Sequence, residues 1–256
     1  MTGLLKIVMI NNDDLAFAKY RRMPVWRENG FELCNHTHDT DEAIKLMHKE
    51  NIAFALIFNK PPQLEAAAIV EKISKKADRC ETLVISPYGD TENMRECFLA
   101  GVTDYLCEPV SETRIKEALI RARQKYDKAM ESREYRLAIA EYFDSLTAKS
   151  EQNDKFLENL RGFISLREGD IITTEAAADY FGFNKDYFGR MFKSRLGVTF
   201  GDFYKKFRIL YAEKLLLSGR YKVYEVSELL GFSSVDYFTA VFKKVTGKRP
   251  SELKKY

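Results

Sequence analysis

Over its first half the chain alternates short apolar runs with stretches whose apolar residues recur every three or four positions. The runs at 5–10, 31–35, 52–58, 82–86 and 104–106 predict strands, and the stretches at 15–28, 41–49, 64–76, 92–100 and 112–126 predict helices between them. Strands that each lead into a helix predict a parallel sheet covered on both faces. The longest apolar run, Ile52 to Phe58, is far short of the roughly 20 residues that cross a bilayer.

The helical pattern does not stop at Tyr126. Glu112 to Thr147 contains neither Gly nor Pro and is dominated by Ala, Glu, Lys, Arg and Leu, all good helix formers. Ile115, Leu119, Ala122, Tyr126, Ala129 and Arg133 follow three-four spacing, which suits either a dimer seam or a face packed on the chain's own sheet. The polar stretch TAKSEQN at 147–153 reads as a domain boundary, and Phe156, Leu157, Leu160 and Ile164 form the apolar stripe of the next helix. The expected organisation is a doubly wound α/β domain at 1–126, with five parallel strands in flavodoxin-like order, then a helical linker at 127–153 and an all-α domain at 154–256.

The all-α part carries one pattern twice. GFNKDYFGRMFKSRLG begins at Gly182 and GFSSVDYFTAVFKKVTG at Gly231. Asp186-Tyr187-Phe188 recurs 50 positions later as Asp236-Tyr237-Phe238, whereas the Gly-Phe pair recurs 49 later, so the second copy has one extra turn residue. Repetition at a fixed spacing predicts two like units in series, here two helix-turn-helix units.

In the first unit Thr173 suits the N-cap of a short helix ending at Tyr180, Gly182 closes it, and Asn184 caps the next helix. That helix has an apolar back of Phe188, Met191, Phe192 and Leu196, and a front of Asp186, Gly189, Arg190 and Lys193. In the second unit Val223, Val226, Leu229 and Leu230 supply the first helix, and Phe238, Val241, Phe242 and Val245 back the second. Val235, Asp236, Thr239, Ala240 and Lys243 face outward there. A joining helix is expected from Thr199, its cap, to Ser218, with Phe203, Phe207, Leu210, the Lys214 stem and Leu217 on one face.

A helix with an apolar back and a basic front, preceded by a tight turn, is what a major-groove reader requires. Arg190 can donate two parallel hydrogen bonds to guanine, while Lys185 and Lys193 suit phosphates. Ala240 stands in the second copy where the first has Arg190. The second reader is therefore expected to read bases weakly, with Val235 for a thymine methyl group and Lys243 and Lys244 for phosphate.

Charge agrees with this division. From Thr173 onward there are 16 Lys and Arg against 9 Asp and Glu, and the residues before it hold 25 against 29. A basic domain behind an acidic one points to a polyanionic partner. Cys34, Cys80, Cys97 and Cys107 form neither a C-x-x-C pair nor a disulfide ladder, so they read as small apolar fillers in a reducing cytoplasm. His36, His38, Asp39 and Asp41 lack a further ligand group at suitable spacing and read as a polar loop rather than a metal site. No cofactor, no metal and no membrane partner are expected.

The first domain carries Met23-Pro24-Val25-Trp26, Gly30-Phe31-Glu32, and Gly101-Val102-Thr103-Asp104-Tyr105-Leu106 with Pro109 after it. On these residues it resembles the receiver domain of bacterial response regulators. It implies an acidic pair for Mg²⁺, a phosphoacceptor Asp after the third strand, a Ser or Thr after the fourth and a Lys after the fifth. Ser86 and the aromatic Tyr105 match. The acidic-pair positions read Asn11-Asn12, with Asp13-Asp14 displaced. Counting back from Pro62, the acceptor falls on Phe58, or on Asn59 with a one-residue slip. Neither forms an acyl phosphate, and neutral amides are poor Mg²⁺ ligands. Glu108 stands where the Lys belongs and would repel a phosphoryl group. The expectation is a pseudo-receiver independent of phosphorylation, with a working site built on Asp13 or Asp14 as the alternative.

The last 100 or so residues carry Arg208-Ile209, Ala212 and Leu215-Leu216 in the joining helix, and GF, YF, FKK and TG with Pro250 in the second unit. In both patterns they are similar to AraC/XylS-family transcription regulators, whose linker helix and second unit these motifs match. Ala177, Ser227 and Ala240 depart from the usual Leu, Ala and Arg. The resemblance implies a sequence-specific regulator rather than an enzyme, binding double-stranded DNA, with a homodimer formed through the receiver or linker helix. It implies RNA polymerase as a partner if the protein is an activator. An interaction module sharing these helices is a further reading. So is a DNA-repair protein, but that needs a zinc-bound cysteine cluster, and these cysteines are scattered from 34 to 107.

Overall fold

The computed structural model describes residues 4–59, 65–77, 80–87, 89, 91–147 and 154–253. Beyond Thr147, the boundary expected at 147–153 lies outside them. The chain divides into two compact units, Met1–Ala129 and Met130–Tyr256.

The first unit alternates β1 (Leu5–Ile10), α1 (Asp14–Arg21), α2 (Val25–Glu28), β2 (Phe31–Thr37), α3 (Thr40–Glu50), β3 (Phe54–Phe58), α4 (Ala66–Lys76), β4 (Glu81–Ser86), α5 (Thr91–Leu99) and β5 (Asp104–Cys107). The strands are parallel in the order β2-β1-β3-β4-β5, the flavodoxin-like order expected. Because the side-chain period of a strand is two, the sheet builds two cores. Ile7, Met9, Phe54, Leu56 and Leu83 meet α1, α2 and the start of α6 (Glu112–Thr147). Val8, Ile10, Ala55, Ile57 and Val84 meet α3, α4 and α5. The order reverses direction between β1 and β3, so a crevice opens at their carboxyl ends.

One expectation is corrected here, and one left with two alternatives is decided. The helix read at 15–28 is two helices, because Pro24 has no N–H to donate and biases Met23 away from the helical region. The three-four stripe of α6 is also settled, for Ile115, Leu119 and Ala122 are fully buried against the sheet and Tyr126 packs on Phe54 with ring centroids 5.1 Å apart. These positions cover the chain's own sheet, and Ala129 is exposed.

The second unit begins inside α6. Tyr135, Ala138, Ile139, Tyr142 and Phe143 lie at i, i+3, i+4, i+7 and i+8 and are buried in that unit's core. Tyr135 donates its hydroxyl to the Ile164 carbonyl at 2.8 Å and Tyr142 to that of Phe203 at 3.2 Å. Burying one large apolar side chain is worth about 1.5–3 kcal/mol, so four of them commit the segment to a core. The stretch expected as linker at 127–153 is thus largely structural through Thr147.

Around it pack α7 (Lys155–Ser165), α8 (Thr174–Tyr180), α9 (Lys185–Leu196), α10 (Phe200–Leu217), α11 (Val223–Leu229), α12 (Val235–Thr246) and a closing 3-10 turn (Pro250–Leu253). The joining helix α10 was expected to have one apolar face. Instead Phe200, Phe203, Tyr204, Phe207, Ile209, Tyr211, Ala212, Leu215 and Leu216 bury it nearly all round, which makes it the spine of the unit, while Leu217 is exposed. Leu229, expected inside, is also exposed.

Candidate nucleic-acid interface and strand-end pocket

The two copies of the repeat become α8–α9 and α11–α12. Thr173 caps α8 by accepting from Ala176 N at 3.2 Å, and Asn184 caps α9 by accepting from Tyr187 N at 2.8 Å. Ser234 caps α12 in the same way through Tyr237 N at 3.1 Å. Gly197 and Gly247 end the two longer helices in the left-handed conformation, at φ 74° and 78°. Phe188 and Phe192, like Phe238 and Phe242, are fully buried behind them.

The fronts are turned to solvent. Lys185, Asp186, Arg190 and Lys193 are exposed on α9, with Gly189 half-buried. Val235, Asp236, Ala240, Lys243 and Lys244 are exposed on α12, with Thr239 half-buried. Among the described residues, Arg190, Lys193 and Lys243 have no hydrogen-bond or ion-pair partner. Lys185 differs, since its ammonium is paired with Glu175 of α8 and must leave it to reach a phosphate. Arg195 is structural: it grips Asp154 at 2.9 and 3.3 Å and lies 5.1 Å over the Phe156 ring.

Tyr187 and Tyr237 join these fronts although neither lies among the expected contact residues. Both are nearly half exposed, beside Phe183 and Phe232 at 5.1 and 6.2 Å. Their repetition in both Asp-Tyr-Phe triplets, off the buried face, was the available signal. A phenol there can donate to a phosphate oxygen.

At the carboxyl edge of the sheet the residues of the receiver resemblance do converge. Asn11 is fully buried and donates to the Asp13 carbonyl, Asn12 is exposed, and Asp13 caps α1 by accepting from Leu15 N and Ala16 N at 3.0 and 3.1 Å. Phe58 belongs to the apolar core beside Tyr20, ring centroids 6.0 Å apart. Asn59 is the polar group at the strand end. It accepts from Ala66 N at 3.2 Å, reaches Tyr105 Oη at 3.5 Å, and its carbonyl lies 3.5 Å from Ser86 Oγ. Glu108 accepts from Lys19 Nζ and Tyr20 Oη, both at 2.7 Å. Burial works to raise its pKa, but these two donors outweigh it and hold the carboxyl below its ordinary value. The cation of this pocket therefore comes from α1, bound to an anion in the place where the resemblance calls for a Lys.

The polar loop after β2 is sorted differently from the sequence reading. Asp39 caps α3 through Asp41 N and Glu42 N, and Asp41 pairs with Lys72 and Lys76 at 2.7 and 3.3 Å. His36 and His38 instead face Asp14. All four cysteines are free. Burial pushes the Cys97 thiol up to about 11 and raises those of Cys34 and Cys80, so these stay protonated at neutral pH.

A helix-turn-helix domain model matches residues 177–256. Over 252 residues the chain is 25% identical to an uncharacterized response regulatory protein of Staphylococcus epidermidis, covering 98% of this chain and 99% of that one. It is 23% identical over 250 residues to the transcriptional regulatory protein HptR of Staphylococcus aureus, covering 97% and 98%. Among solved structures it is similar to the receiver domain of AraT, a response regulator from Geobacillus stearothermophilus, at TM-score 0.43 and 19% identity over 49% of this chain and 98% of that one. The receiver domain of NarL from Mycobacterium tuberculosis gives TM-score 0.40 and 15% identity over 46% and 94%. No helix among the described residues is long and apolar enough to cross a membrane.

Proposed function

We propose that this protein, an AraC-type helix-turn-helix transcription regulator with a receiver-like N-terminal domain, reads base sequence mainly through α9, grips the DNA backbone with α12, and is controlled without aspartate phosphorylation. The observation that carries the DNA part is the exposed Arg190 on α9, without a partner among the described residues, matched on α12 by the exposed Ala240. Arg190 has the fork geometry that distinguishes guanine, and Ala240 has no donor. Lys193, Lys243 and Lys244 supply phosphate contacts, joined by Tyr187 and Tyr237.

The control part is supported by the strand-end pocket. Asn59 takes the acceptor place with an amide, Asp13 spends its carboxylate on the α1 cap, and Glu108 faces where a phosphoryl group would need a cation. In this reading the protein acts in the cytoplasm, pairs with a second copy on DNA, and contacts RNA polymerase if it activates. A second copy multiplies affinity through effective concentration. Pairing through α6 would have to use positions other than Ile115, Leu119 and Ala122, which the sheet occupies.

Two experiments test this. Selection of bound genomic fragments by the full chain should yield one enriched motif, and the Arg190→Ala variant should lose positions from it; an unchanged motif sinks the α9 assignment. Incubation with acetyl phosphate and Mg²⁺ should leave the protein unlabelled. Stoichiometric labelling that disappears in an Asp13 or Asp14 variant would establish a displaced working site instead.

A further inference from the structure

We propose that Asp14, His36 and His38 hold one divalent transition-metal ion of the zinc class at the carboxyl end of β2. His36 lies in β2 and His38 one residue past its end, so their i, i+2 spacing puts both imidazoles on the same side of the pleat. That side faces the first residue of α1. Asp14 Oδ1 lies 3.1 Å from His36 Nε2 and 3.5 Å from His38 Nε2, and the three ligand atoms lie within 4.8 Å of one another. Tetrahedral ligands bound at about 2.0–2.2 Å stand roughly 3.3–3.6 Å apart, so the site closes with small side-chain movements.

The ligands are prepared as well as close. The His36 ring is stacked on Phe17, centroids 4.1 Å apart and planes 22° from parallel, which fixes its direction. Asp39 and Asp41 are engaged by the α3 cap and by Lys72 and Lys76, so they do not compete for the ion. A dication placed between them would be ligated by both imidazoles and the carboxylate at once.

The donor set decides the ion. Two ring nitrogens and a carboxylate suit zinc and its neighbours, while Mg²⁺ demands an octahedron of oxygens. The site is therefore different in chemistry from the Mg²⁺ pocket of a phosphorylated receiver. Three protein ligands leave an outer position for water. An ion held there ties the first turn of α1 to the end of β2, beside the crevice between β1 and β3. The inference rests neither on the DNA reading nor on the absence of phosphorylation.

The full-length protein, stripped with a chelator, is titrated with Zn²⁺ against a chromophoric competitor in millimolar Mg²⁺. One tight site per chain is expected, undiminished by Mg²⁺. Loss of an outer-shell group already costs about 10–100-fold in metal affinity, so Asp14→Asn and His38→Gln, both at exposed positions, should each weaken binding by at least about 100-fold. His48→Gln should not change it, and far-UV circular dichroism should confirm that every variant is folded. No uptake by the parent protein, or uptake that survives in both ligand variants, overturns the proposal.

Discussion

Arg208 on α10 lies 4.2 Å over the ring of Phe232 and donates Nη2 to the Leu230 carbonyl, so one side chain fastens the spine of the second unit to the turn of its second helix pair. The guanidinium is largely removed from water, where a cation above an aromatic face is worth more than at the surface. A lysine keeps the charge but neither stacks flat nor presents a fork. Arg208→Lys is expected to cost about 1–3 kcal/mol of second-unit stability. Urea unfolding followed by far-UV circular dichroism should shift to lower midpoint, while the fluorescence of Trp26, buried in the first unit's core, should move less. Equal movement of the two signals would contradict a local role.

For DNA, the asymmetry between Arg190 and Ala240 separates two kinds of loss. If Arg190 reads a base as proposed, Arg190→Ala should weaken the preferred site by about 1–3 kcal/mol and hardly affect random DNA. If Lys243 holds a phosphate as proposed, Lys243→Ala should weaken all sequences alike and reduce the dependence of log K on log salt by about one unit. Fluorescence anisotropy on matched specific and scrambled duplexes at several salt concentrations distinguishes them.

Glu108 gives the first unit an acid-sensitive tie. Its folded pKa lies below the ordinary value of 4.5, since the Lys19 and Tyr20 hydrogen bonds outweigh its burial. A group whose pKa falls on folding stabilises fully above its unfolded pKa, and the contribution is lost as pH falls through the folded one. Glu108→Gln should therefore cost about 1 kcal/mol at pH 7, the exposed Lys19 adding little through water, and the difference from the parent should shrink below about pH 4. Trp26 is a suitable reporter, because its indole donates to the Tyr20 carbonyl at 2.7 Å. A difference that grew on acidification would refute the assignment.

Asp13 can be tested as a cap against its alternative as a metal ligand for a working receiver. Asn and Asp cap helices about equally, whereas Ala costs about 1 kcal/mol. Asp13→Asn should thus leave first-unit stability nearly unchanged and Asp13→Ala should lower it, with acetyl phosphate labelling absent throughout. A cap-preserving Asn that removed a real labelling signal would favour the ligand role.

The sequence made most of the local structure legible, since the caps Thr173, Asn184 and Thr199 depend on neighbours within a turn, and the repeat shows itself by recurring 50 positions on. The break at Pro24 is equally local, since the proline alone encodes it. The stripe Tyr135, Ala138, Ile139, Tyr142, Phe143 was visible, but its Glu- and Arg-rich setting made it look like a connector, and burial depends on partners far along the chain. The site contacts that were not legible are the distant ones. Lys19 meets Glu108 across 89 positions and Asp14 meets His36 across 22, and nothing in spacing or periodicity encodes such pairs.

The corresponding glycines of the two turns, Gly182 and Gly231, should respond differently to a methyl group. Both sit in the left-handed region, at φ 71° and 64°, where a Cβ costs about 1–2 kcal/mol. At Gly182 the added atom meets open space, whereas at Gly231 it would overlap Cδ1 of Ile171. Ile171 is more than half exposed and can swing aside, so the extra penalty is a displaced contact rather than a core clash. Gly231→Ala should be more destabilising than Gly182→Ala by a few tenths to about 1 kcal/mol, and Ile171→Ala should erase the excess in the double variant. Far-UV urea titrations of the four variants measure the coupling; a difference that persists without Ile171 would place the strain in the Leu230–Arg208 side of the turn instead.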